Sequence, residues 1–525
     1  MEVVEEKGPA NGKEDYTQDG TVDLKGRPVL RSKTGRWKAC SFIVGYEVFE
    51  RMAYYGIASN LVIYLTDKLH EGTVESANNV SNWKGLVWMM PLVGAYIADA
   101  YFGRYWTFVI ASCIYLLGMC LLTLAVSVTS LRPPECAQGV ADQNCPRASP
   151  LQRGIFFLAL YIIAVGTGGT KPNISTMGAD QFDEFEPKES TYKLSFFNWW
   201  YFSIFLGTLF SNTFVIYIQD RVGWAVGYGL PTIGLAVSVL VFLVGTPLYR
   251  HKLPSGSPMT RMLQVFVAAM RKWMTRVPEN PRELHELSIE KYACNGRNRI
   301  DRSSSLRLGL IELYPFKFPH LFSCHRLGVD HLICMHHFFY ACSFLDKAAT
   351  KTGQTSQWML CTVTQVEETK QMTKMIPILI TTLIPSTLIV QSTTLFIKQG
   401  TTLDRRMGPH FDIPPACLTA FTTIFMLISI IVYDLAFVPM IRRYTKNPRG
   451  ITLLQRLGIG LVLHIAIMVT ACLAERKRLS VARENNLFGR HDTIPLCYTL
   501  ILDLKILVQI SFLNTDTCRF AVIFL

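Results

Sequence analysis

The strongest constraint on this chain is a group of charges inside an apolar segment. Residues 37–65 are mostly apolar and long enough to cross a bilayer, yet they contain Glu47, Glu50 and Arg51. An ionisable side chain in a membrane-spanning helix costs roughly 2.5–3.5 kcal/mol on insertion scales, so it normally faces a partner or a water-filled cavity. Such charges mark substrate or proton pathways, and the segment therefore predicts a transporter.

Composition predicts an all-α polytopic membrane protein. Of the 525 residues, 50% are hydrophobic and only 17% are charged, which exceeds what the core of a soluble domain needs. Apolar runs of about 20 residues predict membrane-spanning helices. The predicted spans lie at about 38–65, 82–102, 105–128, 153–171, 197–218, 226–248, 373–397, 416–440 and 453–474, with a possible tenth at 494–513 that Asp503 and Lys505 interrupt.

Basic residues at span ends predict the orientation. Lys and Arg cluster before the first span at 25–38, after the sixth at 250–272 and after the eighth at 442–449. By the positive-inside rule, all three clusters place the N-terminus in the cytoplasm. Cytoplasmic anchoring thus explains the net charge of +13 better than nucleic-acid binding does. A further basic group at 476–490 conflicts with this orientation, and the rule does not account for it.

The order of the spans predicts two half-bundles joined by a linker. Six spans, a polar stretch and then further spans follow the plan of a major facilitator transporter, whose halves rock around a central site. The predicted parts are a cytoplasmic tail at 1–36, an N-terminal six-helix bundle at 37–249, a cytoplasmic linker at 250–372, helices 7–9 at 373–474 and a divergent tail at 475–525.

One linker segment, 262–274, is amphipathic. It predicts either a helix lying at the cytoplasmic face of the membrane or an ordinary linker helix. In the predicted outer loop after the third span, Cys136 and Cys145 can close a short disulfide or remain free thiols.

A second motif lies between the second and third spans. Asp99 ends a helix and is followed by Gly103 and Arg104 in a tight cytoplasmic turn. Charges placed in this way can pair with a neighbouring helix terminus and hold an inward gate closed. The alternative is a charged cap on the loop, but the small residues before Asp99 also permit close helix packing.

Several segments together resemble the proton-dependent oligopeptide transporter family, in particular its plant nitrate and peptide transporter branch. They cover most of 30–300 and 344–490. The matching segments are EVFERMAYYG at 47–56, GAYIADAYFGR at 94–104, GTGGTKPNISTMGADQFD at 166–183, FFNWWYFSIFLGTLFSNT at 196–213, VTQVEETK at 363–370, TTLDRRMGPHF at 401–411 and TKNPRGITLLQRLGIG at 445–460.

The resemblance implies proton-driven symport by alternating access through a twelve-helix bundle of the major facilitator fold. It assigns proton coupling to Glu47, Glu50 and Arg51, since an ion pair that separates on protonation links the proton to gate movement. It also implies that Lys171 binds a substrate carboxylate together with a glutamate of the tenth helix. Further residues expected to line the pocket are Tyr54, Tyr55 and Gln391.

Two positions bear on the substrate and one on regulation. Ile389 stands where nitrate-transporting relatives carry a histidine, which favours di- and tripeptides over nitrate. Phe205 stands where peptide transporters carry an asparagine, and plant hormones and glucosides remain alternatives. Thr107 occupies a position phosphorylated in some relatives, so a regulatory kinase is a possible partner.

Two segments depart from the family pattern. Residues 304–343 match none of its motifs and hold five of the 11 histidines, but their spacing fits no ordinary zinc site, so no metal is predicted. After about Gly489 the motif resemblance also ends, which predicts an incomplete C-terminal half and leaves a truncated, non-transporting product as an alternative.

The remaining expectations concern chemistry and location. A membrane enzyme is not indicated, because the spans show no nucleophile with a base and no metal-ligand set. The predicted driving force is the proton gradient without a cofactor, and the predicted partners are a small solute, protons and the lipid bilayer. The predicted location is the plasma membrane, with the vacuolar membrane second, and the predicted state is a monomer or weak dimer.

Overall fold

The structure, a computed structural model, describes a defined part of the chain, and within several helices it describes only the backbone. The described residues are 16–134, 146–183, 185–254, 256–278, 280–288, 299–302, 344–353, 356–392, 394–406, 412–432, 437–445, 453–484 and 494–495. The chain divides into two compact units, one formed by Met1–Pro254 with Ile384–Leu525 and the other by Ser255–Leu383.

The first 254 residues are helical at every predicted span. The helices are α1 (Arg36–Ala58), α2 (Leu61–Asp67), α3 (Thr73–Ile97), α4 (Gly103–Ser127), α5 (Pro150–Ala179), α6 (Pro187–Phe210), α7 (Ile216–Arg221) and α8 (Trp224–Val244). Two π-helical segments, Ala98–Phe102 and Ser211–Val215, extend α3 and join α6 to α7. The predicted first span is broken at residues 59–60, between α1 and α2.

Length and composition mark four helical segments of the described residues as able to cross a membrane. They are Thr73–Ser127, which holds both α3 and α4, and Pro150–Ala179, Pro187–Arg221 and Trp224–Val244. α1, with 23 residues, is about as long as the last of these segments, but it is not among them and carries the charged residues Glu47, Glu50 and Arg51.

Glycines set the close packing of these helices. Cβ atoms added at Gly94 and Gly168 would lie 2.2 Å from Gly168 O and 2.5 Å from Met90 Cβ, so α3 and α5 meet backbone to backbone. A Cβ at Gly166 would lie 2.5 Å from the Tyr115 backbone nitrogen in α4. Small residues permit such approaches between membrane helices. The Gly-Thr-Gly-Gly sequence before Lys171 therefore fixes α5 against both neighbours.

Residues 16–35, which belong to the predicted cytoplasmic tail, are folded against the bundle. Val22 and His251 exchange two backbone hydrogen bonds of 2.9 Å. The Arg250 side chain is completely buried and donates to Thr34 O at 2.8 Å and to Glu189 Oε2 at 2.8 Å. Arg31 Nη2 lies 3.0 Å from Asp183 Oδ2. This segment is thus part of the N-terminal bundle.

The second unit contains α9 (Pro258–Arg271) and most of α10 (Val363–Ser392). Val265, Ala268 and Ala269 of α9 pack in one apolar cluster with Ala348 and Val366, among others. Beside this cluster, Lys370 Nζ lies 2.5 Å from Asp346 Oδ1 and 2.8 Å from Glu367 Oε1.

The remaining described elements follow α10. They are α11 (Leu395–Gly400), α12 (Thr419–Val432), α13 (Val438–Thr445), α14 (Leu453–Glu484) and a parallel pair of two-residue strands, β1 (Leu403–Asp404) and β2 (Ile494–Pro495). The predicted spans 7–9 overlap α10, α12 and α14. The possible tenth span lies outside the described residues except for β2, which is extended where a helix was expected. That the C-terminal half is incomplete stays a prediction.

Candidate functional site

The three charges of α1 form one buried ion-paired cluster. Arg51 Nε lies 2.6 Å from Glu47 Oε1 and 3.0 Å from Glu50 Oε2. Glu47 and Arg51 are four residues apart, which places them on the same face of the helix. All three side chains are buried, with Arg51 the most exposed at 9%. One guanidinium therefore serves two carboxylates.

This sharing leaves acceptor atoms unused. Among the described residues, Glu47 Oε2 and Glu50 Oε1 are buried and have no hydrogen-bond partner. A buried oxygen without a donor is unfavourable, and protonation converts a carboxylate oxygen into a donor. The cluster can thus hold a proton without losing a satisfied hydrogen bond.

Lys171 faces this cluster from α5. Its Nζ lies 4.1 Å from the centroid of the Tyr54 ring and 5.1 Å from that of Trp88, and it is within electrostatic range of Glu50 and Arg51. Nζ is buried, and within the described part of the chain it has no hydrogen-bond acceptor. Ring faces stabilise an ammonium group but leave its three donors unused.

Aromatic residues frame the ammonium group. Tyr54 stacks on Trp83 with ring centroids 5.9 Å apart, and the Tyr55 ring lies 5.2 Å from that of Tyr54. The sequence predicted Tyr54 and Tyr55 but missed Trp83 and Trp88. Trp83 and Trp88 are five residues apart on a span rich in apolar residues. Nothing in that pattern predicts contact with a lysine of α5.

Most of the predicted coupling and substrate residues lie together, but one predicted substrate position cannot be placed. The structure places Glu47, Glu50, Arg51, Tyr54 and Lys171 close to one another. Gln391 lies in α10, but its side chain is outside the described residues, as is that of Ile389.

The predicted gate motif pairs with the end of α5. Gly103 has φ 74°, a left-handed conformation that glycine adopts without strain and that starts α4. Arg104 Nη1 forms an ion pair with Oδ2 of Asp180, the C-terminal cap of α5, and Lys252 Nζ lies 3.4 Å from Asp180 Oδ1. The Asp99 carboxylate, in the π-helical segment, is close enough to attract the Arg104 guanidinium electrostatically. Asp180 is therefore the centre of this contact, and the sequence analysis missed it.

Thr107 and the two loop cysteines complete the predicted residues. Thr107 is only 6% exposed, and its hydroxyl is buried within α4, so a kinase has no access to it in this conformation. Cys136 and Cys145 lie outside the described residues. The described ranges contain no group of three or more His, Cys, Asp or Glu side chains placed to hold a metal ion.

A polar contact joins the first and seventh predicted spans at the end of the bundle away from Arg104. Lys398 Nζ of α11 lies 3.0 Å from Asp67 Oδ1 and donates to Thr66 Oγ1 at 2.9 Å. Nearby, Arg221 Nη2 donates to Asp412 O at 3.3 Å. Neither contact could be read from the sequence, because the partners are at least 190 residues apart.

Comparison with known proteins identifies the family. A family model described as PTR2, POT family, matches residues 105–522. The chain belongs to the POT family. The matched range of this POT transporter runs past residue 489, where the motif resemblance was expected to end, and spans the segment 304–343.

The similar curated proteins are plant proteins. Protein NRT1/PTR FAMILY 5.3 of Arabidopsis thaliana is 54% identical over 512 residues, which are 97% of this chain and 80% of that protein. Protein NRT1/PTR FAMILY 5.2 of the same plant is 52% identical over 523 residues, covering 99% and 82%. The predicted resemblance to the plant nitrate and peptide transporter branch is thus confirmed.

Solved structures confirm the fold. The crystal structure of an auto inhibited POT family peptide transporter has a TM-score of 0.60 at 20% identity and covers 92% of this chain and 82% of its own. The in meso structure of the POT family transporter PepTSo also has a TM-score of 0.60, at 18% identity, with 92% and 83% covered. This POT transporter is therefore a mostly helical membrane protein of the major facilitator type, and its family is one of transporters.

Proposed function

We propose that this POT transporter couples the movement of a proton to the uptake of a small solute, with di- and tripeptides as the substrate class. The position of Lys171 carries the proposal. A buried ammonium group that has ring faces around it and no acceptor among the described residues is suited to receive a carboxylate. Peptides present such a carboxylate at their C-terminus.

Charge balance supports the coupling. Glu47, Glu50, Arg51 and Lys171 lie within electrostatic range of one another, and their formal charges cancel. A substrate carboxylate that enters alone would leave one uncompensated negative charge in a poorly solvated site, which is unfavourable. A proton taken up by Glu50 or Glu47 restores neutrality. Binding of a proton together with a carboxylate is therefore more favourable than binding of either one alone.

The same proton changes the contacts of α1. A neutral Glu50 no longer attracts the Arg51 guanidinium, while Arg51 remains charged and available to the incoming carboxylate. α1 is packed tightly on α6 at this level, where a Cβ on Gly207 would lie 2.3 Å from Val48 O and 2.9 Å from Arg51 Cβ. A shift of Arg51 is thus transmitted to α6. The Lys398–Asp67 contact joins two separate spans and is the proposed gate at its end, whereas the Arg104–Asp180 contact lies within the N-terminal bundle and stabilises it at the predicted inward gate.

Uptake of a labelled dipeptide in oocytes at acidic and neutral external pH tests this function. The wild-type chain should show acid-stimulated uptake, Glu50→Gln should lose the stimulation but keep exchange of dipeptide for dipeptide, and Lys171→Met should lose dipeptide affinity. Lys68→Gln, which neutralises an exposed lysine beyond α2, is the matched control and should behave as wild type.

Two results would contradict the proposal in different ways. Dipeptide uptake that changes neither with external pH nor in the Glu50→Gln variant would overturn proton coupling by the α1 cluster. Acid-stimulated uptake of nitrate, a hormone or a glucoside without dipeptide uptake would overturn the substrate class alone.

Several finer predictions accompany this function. They are residence in the plasma membrane with the vacuolar membrane as the alternative, a monomeric or weakly dimeric state, and a regulatory kinase acting on Thr107. Because Thr107 is buried, phosphorylation requires a conformation in which the start of α4 separates from α5.

A further inference from the structure

α9 has two apolar faces, and within the described part of the chain only one of them is packed. Val265, Ala268 and Ala269 lie in the core of the second unit. On the other face, four side chains are more than half exposed and recur at spacings of four and seven residues, which places them on one side of a helix. These residues, the outer stripe, are Met259 (51% exposed), Leu263 (53%), Met270 (57%) and Met274 (78%), the last of them just beyond the helix end.

The flanks of the outer stripe are basic. Residues 258–276 contain four basic residues and no acidic residue. Arg261 is paired with Glu368 at 2.8 Å, and Lys272 Nζ donates to Thr350 O at 2.6 Å. Arg271 and Arg276 are exposed, next to Trp273, which is itself 63% exposed. A bare apolar stripe with cations and a tryptophan at its edge is the pattern of a helix that lies in an anionic membrane interface.

The second unit itself places the outer stripe near the bilayer. The cluster that holds α9 includes Val366 of α10. On the same helix, Ile376 and Ile380 are 48% and 59% exposed, at the start of the predicted seventh span. Ten helical residues separate Val366 from Ile376, which is about 15 Å along the helix axis. α9 therefore packs on α10 at a level about 15 Å along the helix axis from Ile376, which belongs to the predicted seventh span.

We propose that the outer stripe of α9 is embedded in the cytoplasmic leaflet and binds anionic phospholipid, with Arg271 and Arg276 at the headgroups. The stripe supplies the apolar contact with the acyl boundary, and the two arginines supply charge complementarity to phosphate and serine carboxylate. This contact ties the linker to the same membrane that the spans cross. It is independent of the solute that the transporter carries.

Photocrosslinking in nanodiscs tests the position of the stripe. The full-length chain, with benzoylphenylalanine in place of Leu263, is reconstituted in phosphatidylcholine with or without phosphatidylserine, irradiated and digested. Mass spectrometry should find lipid adducts on the peptide that contains residue 263. The matched control places the same photoreactive residue at Glu283, an exposed position of the same unit outside the outer stripe, and should give few lipid adducts.

Charge variants test the lipid class. Phosphatidylserine should raise the adduct yield at residue 263, and Arg271→Gln with Arg276→Gln should reduce that increase by about fivefold per arginine removed. Monodisperse elution of each variant shows that it is folded. Equal yields at residues 263 and 283 would overturn the proposal, as would adducts between residue 263 and the protein itself, either its own chain or a second copy. A yield that ignores phosphatidylserine would overturn the anionic lipid assignment.

Discussion

Lys398 Nζ lies 3.0 Å from Asp67 Oδ1 and so joins the seventh predicted span to the first. At the other end of the N-terminal bundle, Arg104 is paired with Asp180 within that bundle. In alternating access, contacts between the two halves must form and break in each cycle. We propose that the Lys398 contact is one of these because it joins two separate spans, whereas the Arg104 contact lies within the N-terminal bundle.

Covalent closure of the Lys398 contact should stop transport. Asp67→Cys combined with Lys398→Cys places two thiols where the salt bridge was, and oxidation should abolish most dipeptide uptake because the two spans can no longer separate. Reduction should restore it. Each single cysteine variant is the control, since the chain already contains 14 cysteines, and should resist the oxidant. Full uptake by the crosslinked double variant would show that this contact does not need to open.

Arg51→Lys should uncouple the proton from the solute even though it keeps the charge. The Arg51 guanidinium reaches both Glu47 and Glu50, at 2.6 and 3.0 Å, and a lysine cannot reproduce its planar geometry. Loss of one charged hydrogen bond corresponds to roughly a tenfold or greater drop in proton-driven uptake. The measurement is uptake driven by an imposed pH gradient in proteoliposomes. The control is Arg153→Lys, at an arginine whose side chain is 45% exposed. An equal loss of uptake in the control would show that the effect is not specific to Arg51.

Asp180→Asn should destabilise the folded protein. It removes the partner of Arg104 and of Lys252, and the Arg104 side chain is only 25% exposed. Leaving a partly buried guanidinium without its carboxylate costs about 1–3 kcal/mol. A thermal shift measurement in detergent should show a lower melting temperature than for wild type. Asp220→Asn breaks an exposed pair with Arg221 and should shift it little. Equal shifts for both variants would contradict a special role for Asp180.

His251 should make stability fall in acid. Burial lowers the pKa of His251 to about 4, and the smaller effects of the Asp23 and Asp180 carboxylates act in the opposite direction. The unfolded histidine has a pKa of about 6.5. Below that pH the unfolded chain binds the proton more readily than the folded chain does, so the unfolded state is stabilised relative to the folded state. This contribution to stability is present above about pH 6.5 and is lost progressively toward pH 4, by about 1–2 kcal/mol after discounting for solvent.

His251→Gln removes this titration. The melting temperature of wild type should fall more between neutral and mildly acidic pH than that of the variant. The same dependence on pH in both proteins would show that other groups, not His251, control the acid response.

Much of the fold was predictable because hydropathy acts locally. Runs of apolar residues predicted the six spans before residue 249 and those that overlap α10, α12 and α14, since a helix satisfies its own backbone hydrogen bonds in lipid. The burial of Glu47, Glu50 and Arg51 followed from the same argument. The ends of these helices, such as the break at residues 59–60, were less predictable because hydropathy changes gradually there.

By itself, the sequence determined that this chain enters a membrane, which residues of α1 carry charge there and which transporter family it resembles. Only the tertiary structure decided that Lys171 lies against Tyr54 and Trp88. It also decided that Arg104 forms an ion pair with Asp180 and that residues 16–35 fold onto Arg250. The reason is that hydropathy and motif spacing act within one helix. The neighbours of a buried charge depend instead on how closely separate helices approach, and here glycines far apart in sequence set that approach.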